Sequence, residues 1–138
     1  MTDYFRPELS EDRLGSISVL GLAHLGDGVF ELMVRTWLCC HGRITSRGLH
    51  RETVNYVSAP AQAEAVNKIL GMLSEDELAV YRRGRNTRVN SIPQHADISQ
   101  YHAATGLEAL FGWLYLHGET PRLNQLFEKI MEDSADAT

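Results

Sequence analysis

The chain has 138 residues, 43% of them apolar and 22% charged, with a net charge of −5. That length suffices for one domain with a sizeable core, and the composition excludes disordered and fibrous classes. Residues 1–15 are polar and acidic, which excludes a secretory signal, and the longest apolar run, 109–116, is too short to span a bilayer.

Taken in chain order, the expected elements are helices, and no segment alternates cleanly as a strand would. Residues 1–15 read as a mobile N-terminal segment. Residues 17–40 carry Leu22, Leu25, Val29, Leu32, Met33 and Trp37 at helical spacing, with His41-Gly42 as the stop. Cys39 and Cys40 are adjacent, without zinc-ligand spacing, and read as packing residues of a reducing cytoplasm. Residues 49–57 form a short helix. Ser58 caps another, with Pro60 in its first turn, running to about residue 73. Ser74-Glu75-Asp76-Glu77 is a capping box that opens a helix through Tyr81. Residues 82–93 read as a loop, with Gly84, Asn86, Asn90 and Pro93 as breakers. Residues 97–116 form a long helix, apolar nearly all round and therefore buried. Thr120-Pro121 caps a last amphipathic helix with Leu123, Leu126, Phe127 and Ile130 on its inner face. The sum is one all-α domain over 16–133, with a mobile tail at 134–138.

Two acids stand in these apolar runs. Asp27 lies between Gly26 and Gly28 in mid-helix, where aspartate has poor propensity. Glu108 lies in the long buried helix, where a carboxylate needs a cation or a partner. A magnesium ion shared by Asp27 and Glu108 is one solution, because it takes oxygen ligands and keeps several waters. The structural alternatives are an exposed Asp27 and an ion pair from Glu108 to Arg122. Glu31, one turn after Asp27, is open between supporting that site and pairing with Arg35 at i+4. Asp97 is too far along its helix to share an ion with Glu108 and reads as a cap. His24, three residues before Asp27, is open between touching a substrate phosphate and lying on a polar face.

The charge is unevenly distributed. Arg82, Arg83, Arg85 and Arg88 stand in a stretch with no acid, as do Arg35, Arg43, Arg47 and Arg51. A basic surface can therefore sit on an acidic protein. Arginine forks match phosphate oxygens, so Arg82, Arg83, Arg85 and Arg88 are the candidate residues for holding a polyanion. Asp27 and Glu108 are the candidate catalytic and metal-binding pair.

Four elements, in order, carry a family resemblance. They are Leu25-Gly26-Asp27 with Val29, Val57-Ser58-Ala59-x-Ala61-Gln62-Ala63, Arg82-Arg83-Gly84-Arg85-Asn86, and residues 107–115, Leu-Glu-Ala-Leu-Phe-Gly-Trp-Leu-Tyr. Over residues 20–126 the chain resembles the ribonuclease III catalytic domain, and within it the minimal Mini-III branch. The resemblance implies a dimeric all-α endoribonuclease with one magnesium-dependent centre per subunit, manganese serving as a substitute. It implies cleavage of double-stranded RNA to 5′-phosphate and 3′-hydroxyl ends, and maturation of the paired ends of precursor 23S ribosomal RNA in the cytoplasm. A ribosomal protein is a further implied partner; DNA and membrane are not. The full ribonuclease III pattern has further acids where this chain has Leu20, Ala23 and Thr105, so only Asp27 and Glu108 carry over.

Two rivals remain at this stage. An all-α nucleotide pyrophosphohydrolase needs paired ExxE and ExxD motifs on adjacent helices, and this chain has neither at the right places. A non-catalytic RNA- or ribosome-binding module that retains the fold is the alternative function.

Overall fold

The computed structural model describes residues 2–42, 48–87 and 97–136, with side chains through Glu132. Among these residues there are seven α-helices and no strand. They are α1 (Glu11–Ser16), α2 (Val19–Cys40), α3 (Leu49–Val57), α4 (Ala59–Ile69), α5 (Glu75–Arg85), α6 (Ile98–Leu116) and α7 (Thr120–Asp136), with a 3-10 turn at Leu70–Met72. No helix among them is long and apolar enough to cross a membrane.

Capping fixes where the helices start. Ser10, Ser18, Ser58, Ser74 and Asp97 each accept a bond from an amide of the first turn, satisfying donors that the helix itself cannot. At Ser74 the expected box closes in both directions. Asp97 accepts from the amides of Ser99 and Gln100, so it is the expected cap.

The two long helices end alike, on Trp-x-x-x-His-Gly. His41 Nδ1 donates to the Trp37 carbonyl at 2.9 Å and His117 Nδ1 to that of Trp113 at 2.8 Å. Each imidazole lies on its tryptophan, with ring centroids 4.1 and 4.5 Å apart. Gly42 and Gly118 then turn the chain at φ of +63° and +69°, which glycine adopts without strain.

Helix α6 is the axle. Residues 104–107 and 109–112 are all buried, Glu108 between them reaches an open cleft, and α2, α4, α5 and α7 pack around the helix. Phe30 of α2 meets Phe111 and Phe127 edge-on at 5.4 and 5.9 Å, joining α2, α6 and α7 in one core. Leu123, Leu126, Phe127 and Ile130 of α7 all point inward, as their spacing predicts.

Three features depart from the sequence reading. The buried stripe of α2 is Leu22, Ala23, Gly26, Phe30, Val34 and Leu38. Of the six residues expected there only Leu22 belongs; Leu25, Val29, Met33 and Trp37 are half-buried and Leu32 is exposed. Helix α5 continues to Arg85, so Arg82, Arg83 and Arg85 lie on a helix and not in a loop. Gly84 does not break that helix. A Cβ there would come within 2.8 Å of the Ala109 Cβ and 2.9 Å of the Gly106 Cα, so its bare backbone lets α5 lie directly on α6. Finally, α1 forms within the N-terminal segment. Leu9, Leu14 and Ile17 pack there on a second cluster of Leu22, Ala23, Val80, Ala109 and Leu116, and the Tyr115 hydroxyl donates to the Tyr4 carbonyl.

One buried ion pair ties the far side. Arg122 Nε and Nη2 donate to the two carboxylate oxygens of Glu77, both at 2.8 Å, and Nη2 also donates to the Met72 carbonyl. This fork holds the Glu77 carboxyl below its ordinary pKa, mainly through the hydrogen bond from Arg122.

Candidate active site

The two acids owe their placement to glycine. A Cβ on Gly26 would lie 1.6 Å from the carbonyl oxygen of Glu108, and one on Gly112 would lie 2.1 Å from that of Leu22. The backbones of α2 and α6 therefore touch at their crossing. Asp27 follows Gly26 on one helix, and Glu108 is the residue touched on the other. Both line one open cleft of about 320 Å³.

The remainder of that cleft is largely apolar. Leu20, Ala23, Val57, Ala59 and Ala104 form walls, with His24, Gln62, Tyr101 and Thr105 as the polar members. The Thr105 hydroxyl donates to the Tyr101 carbonyl one turn earlier. It adds no charge to the site.

These surroundings raise the Glu108 carboxyl from 4.5 to about 8. Desolvation is the largest cause, followed by the hydrogen bond and the charge of Asp27; the Gln62 side chain acts in the opposite direction. A cation beside the two carboxylates would offset the Asp27 charge and the loss of water around Glu108. Arg122 is committed to Glu77 across the molecule, so the ion-pair alternative for Glu108 does not apply.

The other candidates sort cleanly. Glu31 pairs with Arg35 at 3.3 Å on the exposed side of α2. Asp97 is a cap, its carboxyl held low by Ser99 and Gln100. His24 is exposed and lines the cleft. Arg82, Arg83 and Arg85 are exposed on the last turns of α5, where the helix dipole favours cations. They do not form one patch. Arg83 lines a groove with Leu14 of α1, Trp113 and His117, while the Arg85 guanidinium lies over the Tyr81 ring, 5.7 Å from its centroid. Arg88 lies outside the described residues. Sequence reasoning did not place Gln62 in the site. Its one signal is that it falls in the 57–63 motif.

Two carboxylates on different helices, open to solvent, suit a hard cation that retains waters. A closed zinc site needs nitrogen or sulfur ligands, and no group of three or more His, Cys, Asp or Glu side chains converges among the described residues.

Fold and cleft together define an all-α domain with an acid pair at a helix crossing. The ribonuclease III domain model matches residues 20–119. The chain is 44% identical to Mini-ribonuclease 3 of Thermoanaerobacter sp. (strain X514) over 87% of this chain and 84% of that one. It is 42% identical to Mini-ribonuclease 3 of Symbiobacterium thermophilum over 79% and 84%. An X-ray crystal structure of a Fusobacterium nucleatum protein superposes with a TM-score of 0.82 at 26% identity, covering 93% of this chain and 98% of that one. The chain belongs to the ribonuclease III domain family, on its Mini-ribonuclease 3 branch, and is an endoribonuclease. The resemblance carried by the four motifs is borne out.

Proposed function

We propose that this chain is a magnesium-dependent endoribonuclease that cuts double-stranded RNA as a homodimer and matures the paired ends of precursor 23S ribosomal RNA in the cytoplasm. The observation that carries this reading is the pairing of Asp27 and Glu108 in one open cleft at the crossing of α2 and α6. Manganese fits the same oxygen donors.

Asp27 and Glu108 would hold the divalent ion. When bound, it supplies Lewis-acid stabilisation of the phosphoryl charge and a more acidic water. The chain's own contribution is placement. The α2–α6 contact fixes the two acids relative to each other, so little reorganisation is left for the moment of reaction. Apolar walls at Leu20, Ala23 and Ala104 flank the carboxylates. Arg82, Arg83, Arg85 and Arg88 are proposed to hold backbone phosphates. A duplex has two strands to cut, and a second copy supplies the second centre. A-form RNA presents a shallow minor groove and hides its major groove, so recognition rests on shape and phosphate spacing. Selectivity among cellular duplexes then comes from bulges, neighbouring structure or a bound ribosomal protein.

The test is a long RNA duplex incubated in magnesium with Asp27→Asn and Glu108→Gln variants. Each keeps the side-chain shape and removes an anionic ligand, so cleavage is lost while circular dichroism is unchanged. Near-normal turnover by either variant shows that the acids are the wrong ones. Folded, inactive wild-type protein that binds duplex RNA supports the non-catalytic binding module instead.

A further inference from the structure

Gln62 is the anomaly of the cleft. It is 2% exposed, on the first turn of α4, and it lines the same cavity as Asp27 and Glu108. Its Nε2 donates to the carbonyl of Val57, the last residue of α3, at 2.9 Å. Because a carbonyl only accepts, that bond fixes which end of the amide is which. The Oε1 atom is then buried, with no partner among the described residues.

Burying an unpartnered amide oxygen is unfavourable, and a methionine or leucine of similar volume would fill the space without that cost. Packing alone therefore does not account for a glutamine here. The amide lines the same cleft as the Glu108 carboxylate. One amide hydrogen is spoken for by Val57. The other is available to the acid. The side chain thus links the α3–α4 junction to α6, where Ser58 caps the start of α4 next door.

We propose that Gln62 is a positioning residue: anchored on the Val57 carbonyl, it holds the Glu108 carboxylate facing Asp27 in the orientation that a shared divalent cation requires. This rests on the reading of Asp27 and Glu108 as the cation ligands. Partners of this kind, one bond removed from the metal, set ligand orientation and basicity. With only two acids in the site, the orientation of each matters more.

The test measures Mn²⁺ binding by electron paramagnetic resonance for wild type, Gln62→Met and Asp27→Asn, without substrate. Gln62→Met should stay folded and bind Mn²⁺ roughly ten- to a hundredfold more weakly. Its cleavage should fall at low magnesium and recover as magnesium is raised, which a purely structural defect would not do. Wild-type affinity in Gln62→Met, with binding lost in Asp27→Asn, overturns the role of Gln62 and leaves the carboxylate site standing. Absence of Mn²⁺ binding by the wild type overturns both. A second readout needs no substitution: the Gln62 side-chain amide resonances of the wild type should shift on adding Mg²⁺, and unmoved resonances overturn the inference even if Gln62→Met fails to fold.

Discussion

Gly26 and Glu108 meet backbone to backbone: a single carbon added to the glycine would lie 1.6 Å from the glutamate's carbonyl oxygen. The distance between the two acids is therefore set by main-chain contact, and no side chain acts as the spacer. Gly26→Ala should force α2 away from α6 and cost about 3 kcal/mol or more, at the severe end for overpacking. Gly28→Ala, two residues on, meets nothing within 4 Å and should stabilise the helix by about 0.5–1 kcal/mol. Urea unfolding of both variants tests the pair; equal midpoints would mean that the crossing is not this tight.

The cleft should leave a mark on the pH dependence of stability. A carboxyl raised from 4.5 to about 8 on folding favours the folded state while it is protonated. Its contribution is complete below 4.5 and is lost as pH rises through about 8. Cation-free protein should therefore lose stability between pH 5 and 9, magnesium should flatten that loss, and Glu108→Gln should abolish most of it. Thermal melts at several pH values, with and without magnesium, measure this.

The Glu77–Arg122 fork predicts the opposite sign. Glu77 is held below 4.5, so its contribution is present above that pH and is lost as pH falls through the lower folded value. Arg122→Met strands a buried carboxylate and the Met72 carbonyl. It should cost toward the lower end of about 3–5 kcal/mol at pH 7, because the arginine is partly solvated, and much less in acid. Urea midpoints at pH 7 and pH 3 check the difference.

Arg82, Arg83 and Arg85 should act on RNA affinity through phosphate charge. The Arg83→Ala, Arg85→Ala double variant should bind duplex RNA more weakly, with a salt slope reduced by about one unit per lost contact, while the rate at saturating RNA changes little. An unchanged slope removes this helix end from the binding surface.

Much of this molecule was legible in the sequence because its signals are local. Serine and aspartate caps mark where helices start, and the inner face of α7 follows from its 3.6-residue period. The acid pair was legible because aspartate and glutamate stand out in apolar helices. Helix α2 was harder. Apolar residues occupy two adjacent stripes, and a stripe of leucines and tryptophan looks like the core when the contact is actually set by Gly26, which has no hydropathy to read. Gly84 misled for the same reason: its composition says breaker, whereas its role is to let α5 touch α6. Gln62 was invisible because Glu108, distant in the chain, shares its cleft only through the fold.

An axle buried along most of its length has a kinetic consequence. The amides of α6 around residues 104–112 have no local route to solvent, so they should exchange hydrogen only when the whole domain opens. Glu108 rides on that slowest segment. Asp27 rides on a helix whose outer stripe is half-exposed, and Gln62 on a short one. Any breathing of the cleft therefore moves α2 and α4 against a stationary Glu108, which makes that one carboxylate the fixed reference point of the site.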